Sequence, residues 1–589
     1  MKHCTVLFFV AYGLVISESG VGAADPLPVP TPQQVAWQRH EFIAFAHFGV
    51  NTFTDQEWGE GKEDPQIFNP TDFDARQWAA ALKEAGVKLL ILTAKHHDGF
   101  CLWPSRWTEH SVKHSPWRGG QGDVVHEVVE ALRENNIRVG LYLSPWDRNQ
   151  PTYGDSPKYN EYFRNQLREL LTNYGPVDEV WFDGACGEGP NGKRQEYDFA
   201  SYYALIRELQ PNALIAISGP DVRWVGNESG VARENESSVV MRDGKPAWHP
   251  AECDVSIRPG WFYHEREDTQ VKSLATLADI YFKSVGRNSV LLLNIPPDRR
   301  GRFADPDVTR LRELGAFVKE LYSTDFAAHA VVKADSQRDA KHGVGQLLDG
   351  NLETYWAPAD DATSGTVELE LSEPRTFNVV RIQEDITQGE RVQAYRVEIR
   401  EGNAWRAVAK GQVIGHKQLI RIPAVTAQQV RLVIESAAAV PAIAEFGLHW
   451  NALAPAGSGA LTAHRPTTAS DIHPAGTQYG ADKAVDDDPD TRWATSDDVK
   501  QAWLEVDLLQ PATLERLVIK ELDPRLAKFE LQVRATPDEA WKTTYSGTQA
   551  GVNFEASFSP VTARFVRLQI LDSTRPPTIW EFQVFGRRP

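Results

Sequence analysis

Histidine, aromatic and carboxylate residues follow several short apolar segments in the N-terminal half of the chain. The residues at these points are His47, His96-His97-Asp98, Tyr142, Trp181 with Asp183, and Trp224 with Glu228. Imidazole and carboxylate groups hydrogen-bond hydroxyl groups, while indole rings cover apolar surface. Gathered in one place, these residue types suit the binding of a sugar.

Two of the carboxylates can serve glycoside hydrolysis, which needs one ionised and one protonated carboxyl group beside the bond. Asp183 is the candidate nucleophile, because it ends the strongly apolar segment Glu179–Asp183. Glu228 is the candidate acid, because it lies in an aromatic stretch after the next apolar segment. Glu188 and Glu234 compete for the same role.

The histidines His47, His96 and His97 can also be read as metal ligands. No His-Glu-x-x-His pattern supports zinc, and adjacent residues of a strand point to opposite sides. His96 and His97 therefore share a site only if they lie in a loop beyond the strand. We favour a binding role without a metal. The cysteines left after residue 24 are Cys101, Cys186 and Cys253, which indicate neither a disulfide framework nor a zinc site.

Residues 25–326 alternate strand-like apolar runs with helical patterns. The predicted strands are Phe42–Gly49, Leu89–Ala94, Ile137–Ser144, Glu179–Asp183, Ala213–Ser218, Asp254–Ile257 and Ser289–Ile295. The predicted helices include Ala75–Glu84, Val124–Asn135, Lys158–Tyr174 and Tyr197–Leu209. This alternation predicts a (β/α)8-like catalytic barrel with its active site at the carboxyl ends of the strands. An open doubly wound sheet is the alternative, but no Gly-x-Gly-x-x-Gly follows the first strand.

The remainder of the chain changes character and contains a repeat. Its Val-, Ile- and Leu-rich strands include Thr366–Leu371, Val379–Gln383, Tyr395–Arg400 and Gln429–Ile434. Segments 348–356, 430–432 and 441–446 recur in order, at nearly constant spacing, as 485–493, 566–568 and 577–582. The repeat predicts β-sandwich domains at 327–450 and 465–589, joined by a linker at 451–464 that is rich in Ala, Gly, Pro and Ser.

Composition and the N-terminus bear on partners and location. The chain has 589 residues, 42% of them hydrophobic, and a net charge of −18, which argues for globular domains and against a nucleic-acid partner. A basic start, an apolar run from Thr5 to about Ile16 and small residues before a cleavage point after Ala23 or Ala24 are typical of a secretory signal. The run is too short to span a bilayer, and no later segment is long enough. We expect a signal peptide at 1–24 and an exported protein, periplasmic or extracellular, with no membrane span.

Five motifs occur in a distinctive order along residues 30–325. They are His47-Phe48-Gly49, Glu57-Trp58, His96-His97-Asp98-Gly99-Phe100, Trp181-Phe182-Asp183-Gly184 and Trp224-Val225-Gly226-Asn227-Glu228. This region resembles the α-L-fucosidases of glycoside hydrolase family 29. The strings from Asp183 to Gly192 and from Gly219 to Glu228 resemble the subfamily that favours α-1,3/1,4-linked fucose on branched glycans.

The resemblance implies a retaining exo-α-L-fucosidase in which Asp183 is the nucleophile and Glu228 the general acid/base. Retention through a covalent fucosyl-enzyme implies a carboxyl separation of about 5 Å. The implied fucose pocket consists of His47, Glu57, Trp58, His96, His97, Tyr142 and Trp181, with Arg258 and Trp261 as further members. The scheme requires no metal or organic cofactor, and the substrates would be fucosylated oligosaccharides or glycoconjugates.

The second repeat resembles the discoidin-like (coagulation factor 5/8 type C) sandwich, at Asp486–Trp493 and Trp580–Gly586. Relatives attached to glycosidases often bind sugars and hold a structural calcium ion, which implies a carbohydrate-binding role for 465–589. The acidic turn Asp486-Asp487-Asp488 is then either a set of calcium ligands or a solvated turn. The first repeat is more divergent, and its role can be limited to bracing the barrel.

Two other functions stay open from the sequence. One is a barrel glycosidase for a different terminal sugar, and the other is a non-catalytic glycan-binding protein with a decayed barrel. The presence of both Asp183 and Glu228 favours catalysis.

Overall fold

The computed structural model describes residues 27–189, 191–453, 460–463, 465–486 and 491–587. The predicted signal peptide at 1–24 lies outside these residues, as do half of the predicted linker and residues Asp487 and Asp488 of the acidic turn. Among the helices of the described residues, none is long and apolar enough to cross a membrane.

Eight parallel strands form a nearly closed barrel. They are β1 (Phe42–Ala46), β2 (Leu89–Lys95), β3 (Arg138–Leu143), β4 (Glu179–Phe182), β5 (Leu214–Ile217), β6 (Arg223–Trp224), β7 (Ala251–Ser256) and β8 (Val290–Asn294). Their spatial order is β5-β4-β3-β2-β1-β8-β7-β6, and a parallel bridge between Ala216 and Val222 joins the two ends. The prediction of a (β/α)8-like barrel is confirmed, and the open sheet is not observed.

Three strands depart from the sequence prediction. β7 begins at Ala251 rather than at Asp254, because the charged Glu252 interrupts the apolar run. β1 ends at Ala46 rather than at Gly49, because Gly49 is the cap of a short helix that begins at Val50. β6 was not predicted, since a strand of only two residues carries no alternating pattern. This short strand places Trp224 at the rim of the barrel.

Helices cover the outside of the barrel and enclose its main apolar core. They are α1 (Pro32–Gln38), α2 (Val50–Thr54), α3 (Ala75–Ala85), α4 (Val124–Glu134), α5 (Ser156–Asn173), α6 (Phe199–Leu209), α7 (Leu274–Lys283) and α8 (Asp305–Leu321). Asp74, Asp123 and Asp198 begin α3, α4 and α6, because each side chain accepts a backbone N–H of the first turn. The helix starts are thus set locally by the sequence.

Two antiparallel β-sheet domains follow the barrel. The first contains β9 (Val331–Ala334), β10 (Gly365–Glu384), β11 (Val392–Glu401), β12 (Ala404–Gly411), β13 (Gln418–Ala437) and β14 (Ile443–His449). The second contains β15 (Thr467–Ala469), β16 (Trp493–Ala494), β17 (Ala502–Glu521), β18 (Leu526–Arg534), β19 (Lys542–Thr548), β20 (Asn553–Ser573) and β21 (Thr578–Arg587). Trp356 and Trp493 occupy matching positions of the sequence repeat, and each is fully buried in the core of its own domain.

The first sheet domain contacts the barrel through buried polar groups. Glu41, directly before β1, accepts from His416 at 2.9 Å and from Lys417 at 2.6 Å. Burial would raise the pKa of Glu41, but the charge of Lys417 and the hydrogen bonds from Lys417 and His416 outweigh it and lower that pKa from 4.5 to about 2. Glu390 of the sheet domain also accepts from Asn288 of the barrel at 2.6 Å. The first domain therefore braces the barrel at the start of β1.

Replacement of Lys417 by methionine is expected to destabilise the protein, because it leaves the Glu41 carboxylate buried with one partner fewer. The expected loss is about 3 kcal/mol, measured as a lower midpoint of thermal unfolding at pH 7. Lys410→Met is the matched control, since Lys410 is an exposed lysine of the same domain.

The pH dependence provides a second readout of this ion pair. A depressed carboxylate pKa stabilises the fold above about pH 4.5, and the contribution is lost as the pH falls towards 2. The wild type should therefore lose more stability than Lys417→Met over that range. Equal unfolding midpoints for the two proteins at pH 7 would contradict this account of the interface.

Candidate active site

One cavity of about 380 Å³ lies at the carboxyl ends of the barrel strands. It is lined by Phe45, His47, Glu57, Trp58, His96, His97, Trp181, Asp183, Gly184, Ala185, Ile217, Trp224, Glu228, Asp254 and Trp261. The lining includes both candidate catalytic carboxylates and the predicted binding residues other than Tyr142 and Arg258. The residues that the sequence analysis expects at one rim therefore lie around a single cavity.

Asp183 follows β4 and is held by two hydrogen bonds. Its Oδ1 accepts the backbone N–H of Ala185 at 2.7 Å, and its Oδ2 accepts the hydroxyl of Tyr142 at 3.1 Å. Tyr142 is fully buried and stacks on Trp181 at 5.1 Å between ring centroids. Burial and the neighbouring Asp183 raise the pKa of Tyr142 well above its usual range, so its hydroxyl stays a donor. Tyr142 thus acts on the site through Asp183 and does not line the cavity.

Glu228 lies across the same cavity in different surroundings. It follows β6, its side chain is exposed, and its Oε2 accepts the indole N–H of Trp261 at 3.2 Å. Trp224 also lines the cavity, but its indole N–H is donated to Asp254 at 2.7 Å. The two candidate carboxylates therefore differ in what they can do: Asp183 is fixed, and Glu228 is open to solvent.

The histidines of the cavity are held neutral and in defined orientations. Burial lowers the pKa of His47 to about 4 and lowers that of His97 as well. The Nδ1 of His47 lies 2.8 Å from the side-chain oxygen of Asn294, which can only accept, so this nitrogen carries the proton. His97 Nδ1 lies 2.7 Å from the Ser144 hydroxyl, which itself donates to the carbonyl of Trp146 at 2.6 Å. Both rings therefore keep an unprotonated Nε2.

His96 completes a compact group of imidazoles. Its ring centroid lies 4.1 Å from that of His97 and 5.7 Å from that of His47. Burial lowers the pKa of His96 well below its usual range. A neutral imidazole ring can accept a hydrogen bond from one sugar hydroxyl and donate a hydrogen bond to another. In the part of the chain that the structure describes, no group of three or more His, Cys, Asp or Glu side chains is arranged to hold a metal ion.

Glu57 fixes one wall of the cavity. Its carboxylate accepts the backbone N–H of Trp261 at 2.8 Å and that of Phe262 at 3.2 Å. His264, which lies 2.6 Å from Glu57 Oε1, also contacts Asp55 at 2.6 Å. Glu57 therefore has a positioning role for Trp261 in addition to lining the cavity.

The assignment of Arg258 to the pocket is corrected by the structure. Its side chain is fully buried away from the cavity lining and pairs with Asp307 at 2.8 Å and with Asp268 at 2.9 Å. Its guanidinium also lies over the ring of Tyr263. A buried arginine needs such partners to offset its desolvation, so its position after β7 does not direct it to the substrate.

The competing acids Glu188 and Glu234 lie outside the cavity. Both are exposed, and neither is among the lining residues. Spacing in the sequence left these carboxylates open as alternatives to Glu228, because loop residues carry no periodic signal. The structure distinguishes them, because Glu228 lines the cavity whereas Glu188 and Glu234 do not.

Several residues of the site were missed by the sequence analysis. Asp254 lines the cavity, and burial together with the nearby Glu252 raises its pKa to about 8. Asn294 and Ser144, which orient His47 and His97, each stand at the end of a buried strand. The rule that selected His47, a polar residue at the end of an apolar strand, would have found both.

The fold and the site together define a class of protein. A nearly closed (β/α)8 barrel that holds two carboxylates, neutral imidazoles and indole rings in one cavity at its strand ends is the arrangement of a glycoside hydrolase. Comparison with known proteins agrees. The family model for α-L-fucosidase matches residues 32–321, and the model for the F5/8 type C domain matches residues 331–446 and 466–582.

Individual relatives give the same result. Alpha-L-fucosidase 1 of Arabidopsis thaliana is 43% identical over 447 residues, covering 72% of this chain and 88% of the relative. A Ruminococcus gnavus GH29 fucosidase in complex with fucose is 35% identical with a TM-score of 0.69, covering 74% of this chain and 98% of that one. A glycoside hydrolase 29 family member from an unknown rumen bacterium is 34% identical with a TM-score of 0.66, covering 96% and 100%.

The chain belongs to the α-L-fucosidase family, glycoside hydrolase family 29, and carries two discoidin-like F5/8 type C domains after its catalytic barrel. It is an α-L-fucosidase. This activity replaces the two alternative functions, a glycosidase for another terminal sugar and a non-catalytic glycan-binding protein. Fucosidases need no cofactor for catalysis.

Replacement of Ser144 by alanine is expected to lower kcat/KM for fucoside hydrolysis about tenfold, because the His97 ring loses the acceptor that sets its tautomer. Ser115→Ala is the matched control, since Ser115 is equally buried and its hydroxyl donates to the Val112 carbonyl at 2.7 Å. Activity equal to that of the control would show that the orientation of His97 does not depend on Ser144.

Proposed function

We propose that the enzyme is an exported, retaining exo-α-L-fucosidase that releases terminal α-1,3/1,4-linked fucose from branched glycans. The observation that carries this proposal is the pair of carboxylates in one cavity. Asp183 is hydrogen-bonded and partly buried, whereas Glu228 is exposed. A nucleophile must be fixed in position, whereas an acid/base must exchange protons with water. The two environments match these two tasks.

Asp183 acts as the nucleophile in this proposal. The hydrogen bonds from Tyr142 and Ala185 hold its carboxylate at the end of β4, facing the cavity. One carboxylate oxygen attacks the anomeric carbon, and the bond from that carbon to the leaving oxygen breaks. The product of this step is a covalent fucosyl-enzyme ester.

Glu228 acts as the general acid and then as the general base. It protonates the leaving oxygen in the first step, and its carboxylate then takes a proton from the water that attacks the ester. The indole N–H of Trp261 donates a hydrogen bond to Glu228 Oε2 and thereby orients the carboxyl group in both steps. Two displacements at one carbon leave the anomeric configuration unchanged.

The remaining lining fits a terminal deoxysugar. The unprotonated Nε2 atoms of His47 and His97 can accept hydrogen bonds from sugar hydroxyl groups. The rings of Phe45 and Trp181 present apolar surface for the methyl group of the sugar. A cavity of about 380 Å³ suits one sugar ring at a chain end. The preference for α-1,3/1,4 linkages rests on the strings at 183–192 and 219–228, which resemble those of that subfamily.

Substitution of the two carboxylates tests the assignment directly. Asp183→Ala should lose at least ~10³-fold in kcat for an aryl fucoside and a Lewis-type trisaccharide, because no ester can form. Azide should restore turnover of the aryl fucoside with an inverted β-fucosyl azide product. Glu228→Ala should fail mainly on the trisaccharide, whose leaving group needs a proton, and should give the retained α-fucosyl azide.

Glu188→Ala and Glu234→Ala are the matched controls, since both residues are exposed carboxylates outside the cavity. NMR of the wild-type reaction should show α-fucose as the first product. Initial formation of β-fucose would contradict the retaining mechanism. Equal or faster release from an α-1,2-linked substrate than from the trisaccharide would contradict the proposed linkage preference.

We further propose that residues 1–24 direct export, and that the second F5/8 type C domain binds carbohydrate and a calcium ion at the acidic turn. Intact-mass and elemental analysis of the protein from an expressing culture tests the first and last points. The mass should correspond to a chain that begins after Ala23 or Ala24, with about one calcium per chain. A cell-associated protein that retains Met1 would contradict export.

A further inference from the structure

A second concavity of about 810 Å³ is lined by residues that the mechanism above does not use. We call it the side groove. Its walls are the segments Lys62–Gln66, Trp107–His110 with His114, and Asn149–Pro151. These segments belong to the loops that follow β1, β2 and β3.

Each of these loops has its near end at the active site and its far end in the side groove. The loop after β1 places Trp58 in the cavity four residues before Lys62. The loop after β2 begins with His96 and His97 of the cavity and continues to Trp107. The loop after β3 passes through Trp146, whose ring packs on those of Trp58 and His97, before it reaches Asn149. The side groove therefore continues the catalytic rim.

The three loops are fastened to one another, which makes the side groove a formed surface. Asn149 donates from its side chain to the carbonyl of Gly61 at 2.8 Å, and Arg148 donates to the carbonyl of Gly59. Gln66 donates to the carbonyl of His114. Because the loops are already held in place, binding of a ligand would cost little conformational entropy.

The chemistry of the side groove suits a neutral, hydroxyl-rich ligand. Trp107 is 48% exposed and offers a flat apolar face. Polar side chains of the lining, among them Glu109 and Gln150, can hydrogen-bond sugar hydroxyl groups. Lys62 is outnumbered by the carboxylates of Glu63, Asp64 and Glu109, so the lining disfavours an anionic ligand.

We propose that the side groove binds the glycan chain that carries the fucosylated branch, as a neutral oligosaccharide stacked on Trp107. The proposal rests on the action of the enzyme on branched glycans. It makes Trp107 a determinant of substrate length, separate from the residues that hold fucose.

The test compares two substrates, a fucosylated trisaccharide and the same trisaccharide extended by a neutral tetrasaccharide at its reducing end. The readout is the ratio of kcat/KM for the long substrate to that for the short one. Trp107→Ala should lower this ratio by about three- to tenfold, because a stacking face is lost. Gln150→Ala, at the opposite wall, should lower it in the same direction and serves if the first variant does not fold.

Trp450→Ala is the matched control, since Trp450 is 45% exposed and directly follows β14 of the first sheet domain, outside the side groove. It should leave the ratio at its wild-type value. A wild-type ratio of one, or a ratio unchanged in both groove variants, would overturn the proposal. Fucose release from the trisaccharide would show in either case that the proposed function stands.

Discussion

The fixed position of a partly exposed carboxylate among aromatic and imidazole rings is the constraint on which this active site depends. Asp183 sits at the end of an apolar strand, where an uncompensated charge would be costly. The Tyr142 hydroxyl and the Ala185 N–H meet that cost, and both donors are fixed by the barrel, one in β3 and one in the turn after β4. The same two bonds that make the charge tolerable also aim it at the cavity, so stability and reactivity have one structural cause.

Polar groups deeper in the barrel support this arrangement. Trp181, which lines the cavity, donates its indole N–H to Glu252 at 2.7 Å, and Trp37 donates to Glu179 at 2.8 Å. Burial raises the pKa values of Glu179 and Glu252, and the neighbouring Glu179 raises that of Glu252 further, so this pair retains protons where isolated carboxyls would be ionised. The barrel interior thus orients Trp181 through Glu252, a carboxyl group that retains its proton and adds no negative charge to the site.

The sequence predicted the barrel and most of the site, because buried parallel strands are continuous apolar runs and the residues that end them share one rim. His47, Asp183 and Glu228 were identified in this way, the last with help from a family resemblance. Arg258 was misplaced for the same reason, since strand-end position alone does not reveal a buried ion partner such as Asp307. Asp254 and the bond between Glu57 and the Trp261 backbone depend on contacts between distant segments, which no local pattern encodes.

The central claim is that Asp183 forms a covalent bond to fucose. Incubation with a 2-deoxy-2-fluoro-fucosyl fluoride, whose ester hydrolyses slowly, followed by peptide mass spectrometry, tests this claim most directly. The account predicts one added fluorofucosyl group per chain, located on Asp183. Attachment to any other carboxylate, or complete absence of a labelled peptide under conditions where fluoride is released, would contradict it.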